Sequence, residues 1–170
     1  MEEKVKSSLD EILDQHDAKL KEVTERAVRE QSQHNQFHEE FSRIRDNIIR
    51  PAMEEIGNYM KQKGHSFNII ESKEQFDSRL KIYKGSRGII MTILPSGFNP
   101  SDFSNSNIPS LGFYADMRTR KIEITENNVM PHWGGTSGSK DSAELSELTK
   151  DYVQKQILQL LKTIVDKPYH

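Results

Sequence analysis

Between Ser8 and Lys63 the chain carries one glycine, Gly57, and one proline, Pro51. Little in that stretch can stop a helix, and its apolar positions recur in steps of four and three. One row runs Leu9, His16, Val23, Glu30, Phe37, Ile44; the other runs Leu13, Leu20, Ala27, His34, Phe41, Ile48. A seven-residue repeat of this kind belongs to helices that pair along a seam. Ser8 and Glu11 have the spacing of a capping box, which predicts the helix start. Pro51 has no N–H to donate and biases Arg50 away from helical geometry, so a kink is expected there. Pro51 then suits the first position of a second segment, with Ala52, Met53, Ile56, Tyr59 and Met60 on one face. Lys61, Lys63 and Gly64 resemble an ordinary helix end.

Length constrains what this helix can pack against. Leu9 to Ile48 spans roughly 60 Å at helical rise, whereas a strand of five or six residues spans about 17–20 Å. A sheet built from the rest of the chain cannot cover it. Either the helix folds back near residues 31–36, which are polar but lack glycine and proline, or its seam meets a second copy. The second alternative is preferred. It makes residues 1–50 a self-association segment and residues 51–170 an α+β domain. The self-association set is Leu9, Leu13, Leu20, Val23, Phe37, Phe41, Ile44 and Ile48. His16 and His34 in the seam would add repulsion between copies if charged.

Beyond Gly64 the period changes to two. Strands are expected at 66–71, 78–84, 89–94, 111–117 and 121–126, with a hairpin turn at 84–88 and a tight turn at 118–120. A closing helix is expected from Asp141, capped with Glu144, to about Asp166. The fold class is α+β: a long N-terminal helix kinked near Pro51, a five-stranded antiparallel meander, and a C-terminal helix packed on the sheet. In that meander one end gathers Lys61, Lys63, Lys84, Arg87, Arg118, Arg120 and Lys121. The end of the last helix falls there too. The other end gathers the loops 95–110 and 127–140, where Phe98, Phe103, His132 and Trp133 are candidates to line a ligand cleft.

Composition narrows the function classes. Hydrophobic residues make up 34% and charged residues 29%, with a net charge of −2, so no general attraction to nucleic acid or membrane is expected. There are no cysteines, which removes disulfides and thiolate chemistry. The N-terminus is acidic, and no run approaches the ~18 apolar residues of a membrane span. A soluble cytoplasmic protein is expected. The stretch MPHWGGTSGSKD fails as a phosphate-binding loop: counting from Gly134, Ser139 replaces the second glycine and Asp141 replaces the magnesium-binding hydroxyl. It reads instead as a joint, with Asp141 capping the next helix and Trp133 packing over the core edge. His34 and His38, one turn apart, lack a third ligand, so no metal or other cofactor is expected. The leading expectation is a non-enzymatic interaction protein, homodimeric through its first helix, presenting the α+β domain to a protein partner. One alternative is a small-ligand binder or enzyme using the two loops, with His132 as its acid/base. Another is an anion or nucleic-acid binder using Lys84, Arg87, Arg118, Arg120 and Lys121. Nucleic acid is the weaker form of that idea, since no RNA- or DNA-binding signature accompanies the basic turns.

Overall fold

The computed structural model describes residues 2–73, 75–79, 82–84 and 87–167, with backbone alone at 75–77, 82–84 and 106. Leu80 and Lys81 of the expected 78–84 strand, Gly85 and Ser86 of the hairpin turn, and the Lys84 side chain lie outside the described residues. Contacts divide the chain into two compact units, Met1–Phe37 and His38–His170. The sequence had suggested a division at residue 50.

The first unit is helical from Glu3 onward, within helix α1 (Glu3–Ile44). Residues 31–36 continue the helix, and Gln31 there donates to Asn35 at 3.1 Å, one turn on. The helix starts before Ser8. Glu2 O accepts from Val5 N and Lys6 N, and the Ser8 hydroxyl bonds back to Lys4 O at 3.0 Å. Ser8 is therefore an interior serine bonded one turn back, rather than a cap.

In the second unit α1 passes through a π-helical turn at Arg45–Ile49 into helix α2 (Arg50–Gln62). Arg50 stays helical, with φ −58° and ψ −50°, and donates to Arg45 O, five residues back. The expected interruption at Pro51 thus takes the form of one extra residue in a continuous helix. That insertion moves the buried row. Sequence spacing put Ile48 in line with Phe41, but Ile49 is fully buried and Ile48 only half-buried.

Five strands form the main sheet: β1 (Ser66–Ser72), β4 (Gly88–Leu94), β5 (Ser110–Asp116), β6 (Lys121–Asn127) and β7 (Ser137–Ala143). Their order is β1-β4-β5-β6-β7, every neighbour antiparallel. The short strands β2 (Gln75–Asp77) and β3 (Ile82–Lys84) pair only with each other, in the connection between β1 and β4. The 78–84 segment is thus not a strand of the main sheet. The fifth strand is instead Ser137–Ala143, which adds at the far edge beside β6 and whose sequence reads as a loop and a helix start. SGSKDSA has no apolar alternation because it is an edge strand exposed at every residue but Ala143. The closing helix α3 starts later than expected, at Lys150, and runs to Val165. Thr149 is its cap, its hydroxyl accepting from Tyr152 N at 3.1 Å. Asp141 lies in β7, and Glu144 instead caps the short 3-10 turn Leu145–Glu147.

The core lies between one sheet face and the helices. Ile89, Met91 and Ile93 alternate inward along β4, Leu111 and Phe113 along β5, and Ile122 and Ile124 along β6. Ile49 and Met53 meet them from the helical side, as do Val153, Ile157 and Leu160 of α3. Among the described residues no helix is long and apolar enough to cross a membrane.

The register also corrects one end of the sheet. Ser66 pairs with Leu94, so Gly64 and His65 enter the sheet beside the 95–110 loop, and Ser96 N donates to His65 Nδ1 at 3.0 Å. Lys61 and Lys63 therefore stand at the loop end, away from the basic turns. The end of α3 is there too, because Lys167 Nζ donates to Asn128 O and Gly134 O, both at 2.6 Å.

Candidate functional site

Four regions qualify as surfaces of interest, and their geometry separates them. The first is the seam of α1. Leu9, Leu13, Leu20 and Val23 are 44–64% exposed, while Phe37 and Phe41 are buried and Ile44 and Ile48 are half-buried. The first four leave the larger apolar area open to a second helix. Val5 and Ile12 are also exposed, each four residues before a seam position or beside one. Glu30, a polar seam residue, has Arg26 one turn back at 3.6 Å.

The second region is the loop end. Phe98 lies 5.9 Å from Phe103 and 6.5 Å from Trp133, and His132 lies 6.1 Å from Trp133, centroid to centroid. The four candidate residues do gather, but their rings meet one another at tilted or edge-to-face angles of 52–89°, and Phe103 is buried. The 95–110 loop is tied down from β6. The buried Asn127 amide donates to Asn107 O, Asn107 Oδ1 and Ile108 O at 2.8–3.2 Å, and its oxygen accepts from Val129 N. The stretch MPHWGGTSGSKD turns here as a hairpin: Met130 and Gly134 bridge, and the chain leaves as strand β7. His132 and Gly134 adopt positive φ in that turn, which is what the turn requires of them. Lys140 is engaged by Glu126 at 2.8 Å and Gln159 at 3.0 Å. The chain leaving the glycines enters a strand, not a helix N-terminus.

The third region is the turn end, where Arg87, Arg118, Arg120 and Lys121 do lie together. Acids interleave with them. Asp116 accepts from the Thr119 hydroxyl at 2.8 Å and from Arg118 N at 2.9 Å, and these bonds, the hydroxyl's first, hold its carboxyl below the usual range. Lys121 reaches Glu144 at 3.4 Å. The result is a patch of mixed sign rather than a cationic field.

The fourth region was not foreseen. Helices α2 and α3 pack against each other but leave a groove of about 590 Å³ between them at the loop end. Its walls include Ile56, Tyr59 and Met60 from α2 and Leu158, Leu161 and Val165 from α3, with Ile93 and Pro95 at its base. Tyr59, Leu158 and Val165 remain 56–62% exposed along its lips. A polar clasp closes one end. Glu55 takes Lys150 at 2.5 Å and Gln154 at 3.1 Å, and the Lys150 bond above all keeps the Glu55 carboxyl below its usual range. Lys63 and His65 line the other end. The sequence held one signal of this groove. Leu158 and Val165 each follow a core residue of α3, Ile157 and Ile164, so the apolar stripe is wider than a single packed face needs.

Compared with known proteins, the chain matches no protein-family model, no curated protein and no solved structure.

Proposed function

We propose that this chain is a non-enzymatic interaction protein that self-associates through the first part of α1 and offers its α+β unit to a protein partner. One observation carries the reading: Leu9, Leu13, Leu20 and Val23 keep a seven-residue rhythm along a helix and stay largely exposed. Burial of such a stripe is what holds most protein helices together, since isolated helical propensity is marginal in water. A second copy is the occupant this rhythm fits, because a 3.5-residue period is the one that keeps a seam against another helix over several turns.

The test is absolute mass by light scattering over a concentration series, for the full chain and for a Leu13→Glu/Leu20→Glu variant. The native chain is expected at the mass of two copies and the variant at one, with the sheet unit melting unchanged in the variant. A native chain that stays at the mass of one copy throughout overturns the reading.

A further inference from the structure

The α2–α3 groove differs from the other three regions described above in being both concave and chemically polarised. Its volume of about 590 Å³ is in the range of roughly 300–1,000 Å³ usual for small-molecule sites. Its walls are almost wholly aliphatic or aromatic. Gln154 to Val165 along α3 gives it a length of roughly 16 Å at helical rise, which suits an extended hydrocarbon chain.

The two ends are opposite in their electrostatic state. At the clasp, the Glu55 carboxylate is already engaged by Lys150 and Gln154. At the open end, Lys63 has no carboxylate partner among the described residues; its ammonium stands 5.6 Å over the Tyr59 ring. His65 lines the same end, and its Nδ1 accepts the Ser96 N–H. A neutral ring so engaged carries its proton on Nε2, which makes it a donor. One end is therefore electrically satisfied, while the other holds a cation and an N–H donor at the mouth of an apolar trough.

We propose that this groove binds a free amphipathic organic acid. Its hydrocarbon chain lies between Ile56, Met60, Leu158 and Leu161, and its carboxylate meets Lys63 and His65. Nothing in this assignment depends on the seam of α1. All the groove residues belong to the unit His38–His170, and the seam residues Leu9, Leu13, Leu20 and Val23 to the unit Met1–Phe37.

The experiment is calorimetric titration of the full chain with dodecanoate below its micellar concentration. Dodecyltrimethylammonium and phosphatidylglycerol vesicles serve as parallel probes. Saturable binding of one dodecanoate per chain is expected, with much weaker binding of the cationic amphiphile. Lys63→Glu is expected to weaken dodecanoate binding roughly tenfold or more, the worth of a charge-assisted bond. Leu158→Gln, on the exposed lip, is expected to weaken it as well while the thermal melt is unchanged. Equal binding of both head groups, or an unchanged Lys63→Glu variant, overturns the assignment. Binding to vesicles without binding of the free acid overturns it too. Light scattering of a Leu158→Arg variant gives the last check: loss of self-association there would make the groove an interface between copies and sink the proposal.

Discussion

Two stretches of one helix share a rhythm and differ in what becomes of it. From Leu9 to Val23 the apolar seam side chains are exposed; from Phe37 to Met53, Phe37, Phe41, Ile49 and Met53 are buried and Ile44 and Ile48 are half-buried. Nothing in the local pattern separates the two, because periodicity marks which face is apolar and is silent about what covers it. If anything the polar interruptions His16, Glu30 and His34 fall in and just after the exposed stretch, and the bulky Phe37 and Phe41 in the covered one. Phenylalanine is awkward in a two-stranded seam and well suited to a core that can surround it.

The comparison can be broken most forcefully at Phe41. Phe41→Ala is expected to cost about 3–5 kcal/mol of folding stability, read by denaturant unfolding. A cost near zero would make the covered stretch equivalent to the exposed one. Next comes the pair Ile48 and Ile49. Ile49→Ala should cost about 2–5 kcal/mol and Ile48→Ala clearly less; the reverse order would place the buried row back in the uninterrupted heptad. Asp46, in the π turn, is a weaker lever. Its carboxyl is held below the usual range first by its hydrogen bond from Arg45, and its side chain is half exposed. A depressed folded value contributes stability above the ordinary carboxylate range, lost as pH falls through the folded value. Asp46→Asn should therefore cost no more than about 1 kcal/mol at neutral pH. That cost should vanish in acid, as urea midpoints across a pH series would show. The smallest effect is expected at the exposed stretch. Leu13→Ala should leave the unfolding of the sheet-bearing unit within roughly 0.5 kcal/mol of the native value, while shifting the concentration at which mass doubles.

Elements with strong apolar alternation were legible from sequence. Leu111, Phe113 and Ala115, and Ile122 and Ile124, identify β5 and β6 with the faces they present, and the continuous apolar run Ile89–Leu94 identifies β4 as a strand without giving its face. The long helix, the antiparallel order and the closing helix follow from the same reasoning. Ser137–Ala143 was not legible, since an edge strand draws its order from backbone pairing with β6 and buries only Ala143. The 78–84 segment misled for the opposite reason: it alternates, yet β1 pairs with β4 directly. The candidate sites divide along the same line. Phe98, Phe103, His132 and Trp133 were expected together, and the loop topology brings them together. The groove joins Tyr59 to Leu158, residues 99 positions apart whose adjacency depends on how α2 and α3 pack.

The π turn at Arg45–Ile49 has a meaning at the level of the gene. It is a helix with one codon more than an α-helical path needs. Losing that codon would restore the ordinary ladder but turn every preceding residue by about 100° around the axis. Phe41 would then trade its place with a neighbour such as Ser42 or Glu40. In this segment the fold depends on the count of residues as much as on their kinds, so a deletion that removes no buried side chain would be more damaging than most substitutions there.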